Sequence, residues 1–178
     1  MKNIIETAAL LILGSGFFYS TNAQKIQVVN GKSIVNPYYS RSNTQILKIP
    51  NSTWKKVLGG DLYSVSRLGE TEEAFTGKYN QFDGKGTYYC GACGNALFRS
   101  DAKFASTCGW PSFFEPIRPK SVIYKKDESY NMVRTEVRCG RCDAHLGHVF
   151  DDGPKPTRKR FCMNSIALEF EPLKKSQN

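Results

Sequence analysis

Two matching cysteine pairs, Cys90-Gly-Ala-Cys93 and Cys139-Gly-Arg-Cys142, constrain this chain more than any other feature. Each has the C-G-x-C form of a metal knuckle, and four thiolates with that spacing suit one closed, tetrahedral, structural zinc site. The glycine of each unit is expected to take the positive φ of a tight turn, so that the sulfurs and nearby N–H groups converge on one ion. The first knuckle follows Thr87-Tyr-Tyr89 and the second follows Val133 to Arg138, so each is expected where a strand ends. The gap of residues 94–138 is longer than in a compact zinc ribbon. Spacing alone therefore leaves open two redox-active pairs, two local disulfides, or a disulfide framework over all six cysteines.

The chain has 178 residues, enough for one domain with a real core. Its net charge of +9 admits nucleic acid or acidic surfaces as partners. The basic residues are scattered as doublets, with one denser run through Lys155, Arg158, Lys159 and Arg160, and they form no long stripe. That pattern reads as a solvated surface and argues against nucleic acid.

Residues 1–23 read as a signal peptide. Lys2 supplies a positive start, Ala8 to Phe18 an apolar stretch, and Thr21-Asn-Ala23 a small-residue cleavage site before Gln24. The stretch is shorter than the about 20 residues of a membrane span, so no stable span is expected after cleavage. The expectation is export, periplasmic or secreted, with a cytoplasmic or membrane-anchored protein if the segment is kept.

Residues 24–49 are polar and mixed, with Asn36-Pro37 and Ile49-Pro50 as breakers, and read as a linker or arm. Asn51-Ser-Thr53 reads as a helix N-cap leading into Trp54 to Leu58, closed by Gly59-Gly60. Asp61 to Leu68 suggests a second short helix, and Glu70 to Ala74 a further turn. From Thr87 onward, short β-branched and aromatic runs alternate with turn residues: 87–89, 96–98, 121–124, 132–137, 148–150 and 165–170. The fold class is therefore mainly β, one domain over residues 50–172 with short N-terminal helices and an antiparallel sheet or small barrel. Residues 173–178 read as a disordered tail.

Two cysteines remain outside the knuckles, Cys108 in Ser-Thr-Cys-Gly-Trp-Pro-Ser and Cys162 in Arg-Phe-Cys-Met-Asn-Ser. Both histidines of the chain, His145 and His148, fall in one short segment ahead of Cys162. A thiolate and a nearby imidazole are the usual pairing for activated sulfur. Arg160 adds a positive charge that lowers a thiol pKa if close, and Asn164 offers an amide to orient a substrate oxygen or a water. Trp110 beside Cys108 suits the wall of a small apolar pocket for a methyl or thioether group. These parts describe thiol-based reduction without naming its substrate.

Cys108-Gly-Trp-Pro-Ser-Phe113, His145-Leu-Gly-His-Val-Phe150, Asp152-Gly-Pro154 and Arg160-Phe-Cys-Met-Asn-Ser165 strongly resemble the B-type methionine sulfoxide reductases. So do Phe75-Thr-Gly77 and the two knuckles, and the likeness runs in order over roughly residues 50–172. The resemblance implies two small antiparallel sheets in an open, barrel-like domain with one structural Zn2+ on Cys90, Cys93, Cys139 and Cys142. It implies Cys162 as nucleophile and Cys108 as resolving cysteine, with His145, His148, Asp152, Arg160 and Asn164 assisting. Trp110 would hold the methyl group of the substrate. It further implies a monomer that acts on oxidised proteins or peptides carrying methionine-R-sulfoxide and is regenerated by a thioredoxin-like reductant. Phe161 stands where tyrosine is common in the family.

Overall fold

The computed structural model describes residues 25–174; the signal-peptide reading of residues 1–23 and the last four residues lie outside them. Eleven strands lie within the described residues: β1 (Lys25–Val29), β2 (Lys32–Asn36), β3 (Gly86–Cys90), β4 (Ala96–Arg99), β5 (Lys103–Phe104), β6 (Ser112–Phe113), β7 (Val122–Asp127), β8 (Arg134–Cys139), β9 (His145–Phe150), β10 (Arg160–Met163) and β11 (Leu168–Pro172). They form two antiparallel sheets that do not close, one in the order β5-β6-β10-β9-β8-β7 and one in the order β11-β3-β4, with β1 and β2 as a separate hairpin. The mainly β expectation holds. No helix among the described residues is long and apolar enough to cross a membrane.

The segment expected to be a linker or arm is more ordered than its polarity suggests. Lys25 to Asn36 forms the β1–β2 hairpin around Asn30-Gly31, both at positive φ. The following chain then lies against the knuckles. Helix α1 (Asn51–Val57) starts at Pro50, and Asn51 is inside it; the expected side-chain cap is not made. Proline suits that helix start because its fixed φ is already extended-to-helical compatible and its missing N–H is not needed there. The second expected helix is α2 (Gly60–Tyr63) running into one π turn over Ser64–Leu68, which Gly69 ends at φ 78°.

Strand β10 was not legible as a strand, and it carries the site. Its burial alternates, with Phe161 and Met163 directed to the core and Arg160 and Cys162 only half-buried. That is the period-two pattern of a strand with one packed face. Phe113 fixes the core beneath it, stacked on Phe98 at 4.4 Å and edge-on to Tyr88 at 4.9 Å between ring centroids. Such pairs add about 0.5–1.5 kcal/mol beyond burial alone.

Strands β9 and β10 approach so closely that only glycine fits at position 147. A Cβ there would lie 2.0 Å from the Cys162 carbonyl oxygen. Gly147→Ala is therefore expected to lower unfolding stability by about 1–3 kcal/mol. A urea midpoint equal to that of the parent would contradict the β9–β10 register.

Candidate active site and metal centre

The four knuckle sulfurs lie within 4.8 Å of one another, all buried, and could hold a metal ion. Cys90 and Cys142 are 3.7 Å apart, as are Cys93 and Cys139, and none of the four is in a disulfide. The two knuckles repeat one hydrogen-bond scheme. Cys90 N–H donates to the Asn95 carbonyl and Gly94 N–H to the Cys90 carbonyl; Cys139 and Asp143 N–H do the same toward Ala144 and Cys139. The positive φ falls on Gly94 and Asp143, one residue past each second cysteine, and not on the glycine inside each motif as expected. Gly140 serves close approach, since a Cβ would lie 2.1 Å from the Lys120 carbonyl oxygen.

Cys108 and Cys162, 54 residues apart in sequence, bring their sulfurs to 2.9 Å. Cys162 lies directly opposite Ser112 on one side and His148 on the other, and His148 lies opposite Glu136. Directly paired residues share a sheet face. The register thus builds a row of Ser112, Cys162, His148 and Glu136 across four strands. The Cys108 sulfur joins it from a loop, 3.3 Å from the Ser112 hydroxyl.

Burial pushes the Cys162 thiol above its ordinary range and its contact with Cys108 adds to this, while Arg160 opposes. Burial also raises Cys108. Its contacts with Cys162, the Ser106 and Ser112 hydroxyls and the Trp110 backbone outweigh that and bring it down to about 7. In the resting pair these contacts favour the thiolate on Cys108 over Cys162.

In a regular strand residues three apart face opposite ways. A bulge opposite Val137/Arg138 resets that alternation in β9, so both imidazoles face the Glu136 side, with ring centroids 5.5 Å apart. His148 Nε2 lies 2.7 Å from Asp127 Oδ2, and His145 Nδ1 lies 2.7 Å from Glu136 Oε1. The Ser129 backbone N–H and hydroxyl hold the Asp127 carboxyl below its usual range, with His148 and Arg134 adding to this against burial. An ionised carboxylate only accepts, so Nε2–H of His148 is the donor. Burial lowers the His148 pKa, and the hydrogen bond to Asp127 opposes it only in part.

Trp110, Gly147, His148, Phe150, Cys162 and Asn164, with Thr71 and Arg134, line a recess of about 100 Å³. Glu72 frames it. Its N–H donates to Asn164 Oδ1 (3.0 Å) and its carbonyl accepts Trp110 Nε1–H (3.2 Å). Its carboxylate takes the Ser165 and Ile166 N–H groups at 2.6 and 3.0 Å. The Asn164 Nδ2 group also donates to the Leu146 carbonyl (3.1 Å), so this amide is mostly committed to backbone. One of its N–H bonds is left for a bound group. Asp152 lies outside the recess lining; it is exposed and holds Arg160 with two hydrogen bonds of 2.9 and 2.8 Å. Arg160 in turn lies over the Phe150 ring at 4.5 Å. His145 is behind His148, lining a larger neighbouring cleft instead.

Residues 58–172 match the SelR domain family. A protein of Pseudomonas putida (strain W619) named peptide methionine sulfoxide reductase MsrB is 53% identical over 119 residues, covering 67% of this chain and 90% of that protein. A protein of the same name from Pseudomonas aeruginosa PAO1 is 50% identical over 123 residues, covering 69% and 93%. The chain belongs to the B-type methionine sulfoxide reductases. That membership makes it an oxidoreductase.

Sequence reading of this reductase missed Glu72, Asp127, Arg134, Glu136 and Ser112. One signal was available for two of them: Arg134, Glu136 and Arg138 recur at period two along an expected strand, marking one charged face. Glu72 and Asp127 reach the site only through chain reversals, which leave no local pattern.

In the reduced protein, iodoacetamide should modify Cys108 with a midpoint near pH 7 and Cys162 only at higher pH. Cys108→Ala removes a contact that raises Cys162 and leaves Arg160 in place, so the Cys162 midpoint should fall. Peptide mapping of the alkylated protein checks both, and Cys162 reacting first in the parent would contradict the charge assignment.

Proposed function

We propose that the protein reduces protein-bound methionine-R-sulfoxide, and free methionine-R-sulfoxide where it reaches the site, through a Cys162 sulfenic acid and a Cys108–Cys162 disulfide. The observation that carries this reading is the pair of sulfurs 2.9 Å apart at a recess walled by Trp110 and His148. Proton transfer from Cys162 to the Cys108 thiolate across that contact makes Cys162 the nucleophile. Its sulfur attacks the sulfoxide sulfur while His148, its imidazolium form supported by Asp127 against burial, delivers the proton it has taken up to the oxygen. Methionine departs, and the oxygen with its proton remains on Cys162 as a sulfenic acid. The Cys108 thiol then displaces that hydroxyl, forming the disulfide and releasing water. A thioredoxin-like dithiol reduces the disulfide by exchange.

Trp110 is assigned to the methyl group, and Arg160, steered by Asp152, stabilises the Cys162 thiolate. Asn164 is assigned to positioning through Leu146 and Glu72, and His145 to orienting and polarising the Glu136 side of His148. The zinc assignment rests on the four sulfurs. A tetrahedron with Zn–S bonds of about 2.3 Å has edges of about 3.8 Å, and two sulfur pairs lie at 3.7 Å. Zinc there would supply folding energy and hold the thiolates apart from the redox pair. The protein is proposed to act as a monomer and, on the strength of residues 1–23, outside the cytoplasm.

The test is turnover of the R and S diastereomers of methionine sulfoxide with dithiothreitol as reductant. Only the R form should yield methionine. Cys162→Ser should abolish activity, and Cys108→Ser should give a single turnover per enzyme when the reductant is thioredoxin. A reduced, zinc-loaded protein that turns over neither form would overturn the proposal.

A further inference from the structure

The chain between Lys25 and Leu47 is fastened to the two knuckles and, beside them, to β11, where Lys25 and Tyr39 reach Glu169 and Arg41 reaches Glu171. Lys25 Nζ donates to the Gly91 carbonyl at 2.8 Å and Asn36 Nδ2 to the Ala92 carbonyl at 2.9 Å. The Cys93 carbonyl accepts the Ser40 N–H at 2.9 Å and also the Arg141 guanidinium. Three consecutive carbonyls of the first knuckle are thus each capped, and every one of those caps but Arg141 comes from this segment. On the second knuckle the Arg141 carbonyl accepts the Leu47 N–H at 2.7 Å.

Arg141 stands between two of the four cysteines and is only 4% exposed. Its guanidinium also donates to the carbonyls of Tyr38 (3.2 Å), Ser40 (3.3 Å) and Gln45 (3.2 Å). Among the described residues no carboxylate pairs with it. A buried cation without a carboxylate is costly unless another negative charge lies near. Four thiolates around one divalent ion supply two net negative charges, which accounts for an arginine buried beside them. The fit with Gly94 is equally close: a Cβ there would meet the Ser40 carbonyl oxygen at 2.7 Å. The hairpin end of the segment is seated separately, with Gln27 Oε1 accepting the Gly59 N–H at 3.0 Å and Tyr38 edge-on to Trp54 at 5.2 Å.

We infer that residues 25–47 form a clasp over the four-cysteine centre, with Arg141 as its latch, that slows metal loss and attack on the metal-bound thiolates. This rests on the zinc reading of those cysteines. It concerns a segment outside the residues that match the SelR family, which begin at 58. A thiolate leaves the ion, or meets an oxidant, only when its knuckle opens. Opening the first knuckle breaks the caps on Gly91, Ala92 and Cys93. One hydrogen bond of this kind changes an opening equilibrium by about fivefold.

The experiment loads the full chain with zinc, measures its zinc content, and follows transfer of zinc to excess 4-(2-pyridylazo)resorcinol. Asn36→Ala and Arg141→Lys should release zinc at least about fivefold faster than the parent. Lys32→Ala, exposed on the same hairpin, should match the parent. Phe161→Leu, which weakens the core away from the clasp, should also match it. Should Asn36→Ala fail to fold, Arg141→Lys decides alone, because it keeps the charge and loses the fork. Parental release rates in the clasp variants would overturn the clasp, as would equal acceleration by Phe161→Leu. A reduced parent that binds no zinc would instead overturn the metal reading beneath it.

Discussion

The convergence of four sulfurs from two sheets is the constraint on which the rest of the molecule depends. Cys90 ends β3 in the three-stranded sheet and Cys139 ends β8 in the six-stranded sheet. Joining them fixes how the two sheets meet. It also fixes where β9 begins, because His145 follows Cys142 by three residues. The bulge then turns both imidazoles to one face, and the β9–β10 register sets His148 opposite Cys162. The four-cysteine cluster, proposed to be purely structural, therefore sets the geometry around Cys108 and Cys162.

The two cysteine sets differ in what surrounds them as much as in sequence. Knuckle sulfurs are wholly buried, repeat one hydrogen-bond scheme and are covered by the segment from Lys25 to Leu47. Cys108 and Cys162 are half-buried at the rim of a recess, beside hydroxyls, an arginine and an imidazole. Burial without a countercharge would silence a thiol. Cys108 escapes this through its hydrogen bonds, and Cys162 has a proton acceptor in contact with it. In the proposed mechanism the same short distance serves first for proton transfer and then for closing the disulfide.

Much of this was legible in the residues. The knuckles, the Cys108 and Cys162 segments and both histidines carry their chemistry in residue type and spacing, and the structure gathers them. Strand β10 was hidden because Arg-Phe-Cys-Met alternates over only four residues, too short for a pattern to stand out. The β1–β2 hairpin was hidden because its outer face is polar and exposed apolar by turns and its anchoring is by single side chains, Lys25, Gln27 and Asn36, to distant backbone. Asn164 offered an amide to a substrate oxygen or a water; its backbone partners, Glu72 and Leu146, were not legible, and they leave one N–H for that role. The partners of the histidines, Asp127 and Glu136, lie on other strands, and strand pairing is not written in local sequence. Glu72 is the extreme case, since all its polar groups are used, and every partner is remote.

The division of labour among the six cysteines is tested most directly by mapping disulfides after one turnover. The zinc-loaded, reduced protein would be mixed with one equivalent of methionine-R-sulfoxide, denatured with alkylating reagent and analysed by mass spectrometry together with its zinc content. The account predicts a single disulfide, Cys108–Cys162, with zinc retained until denaturation and Cys90, Cys93, Cys139 and Cys142 all recovered as alkylated thiols. A disulfide that includes any of those four, formed while Cys108 and Cys162 remain reduced, would contradict it.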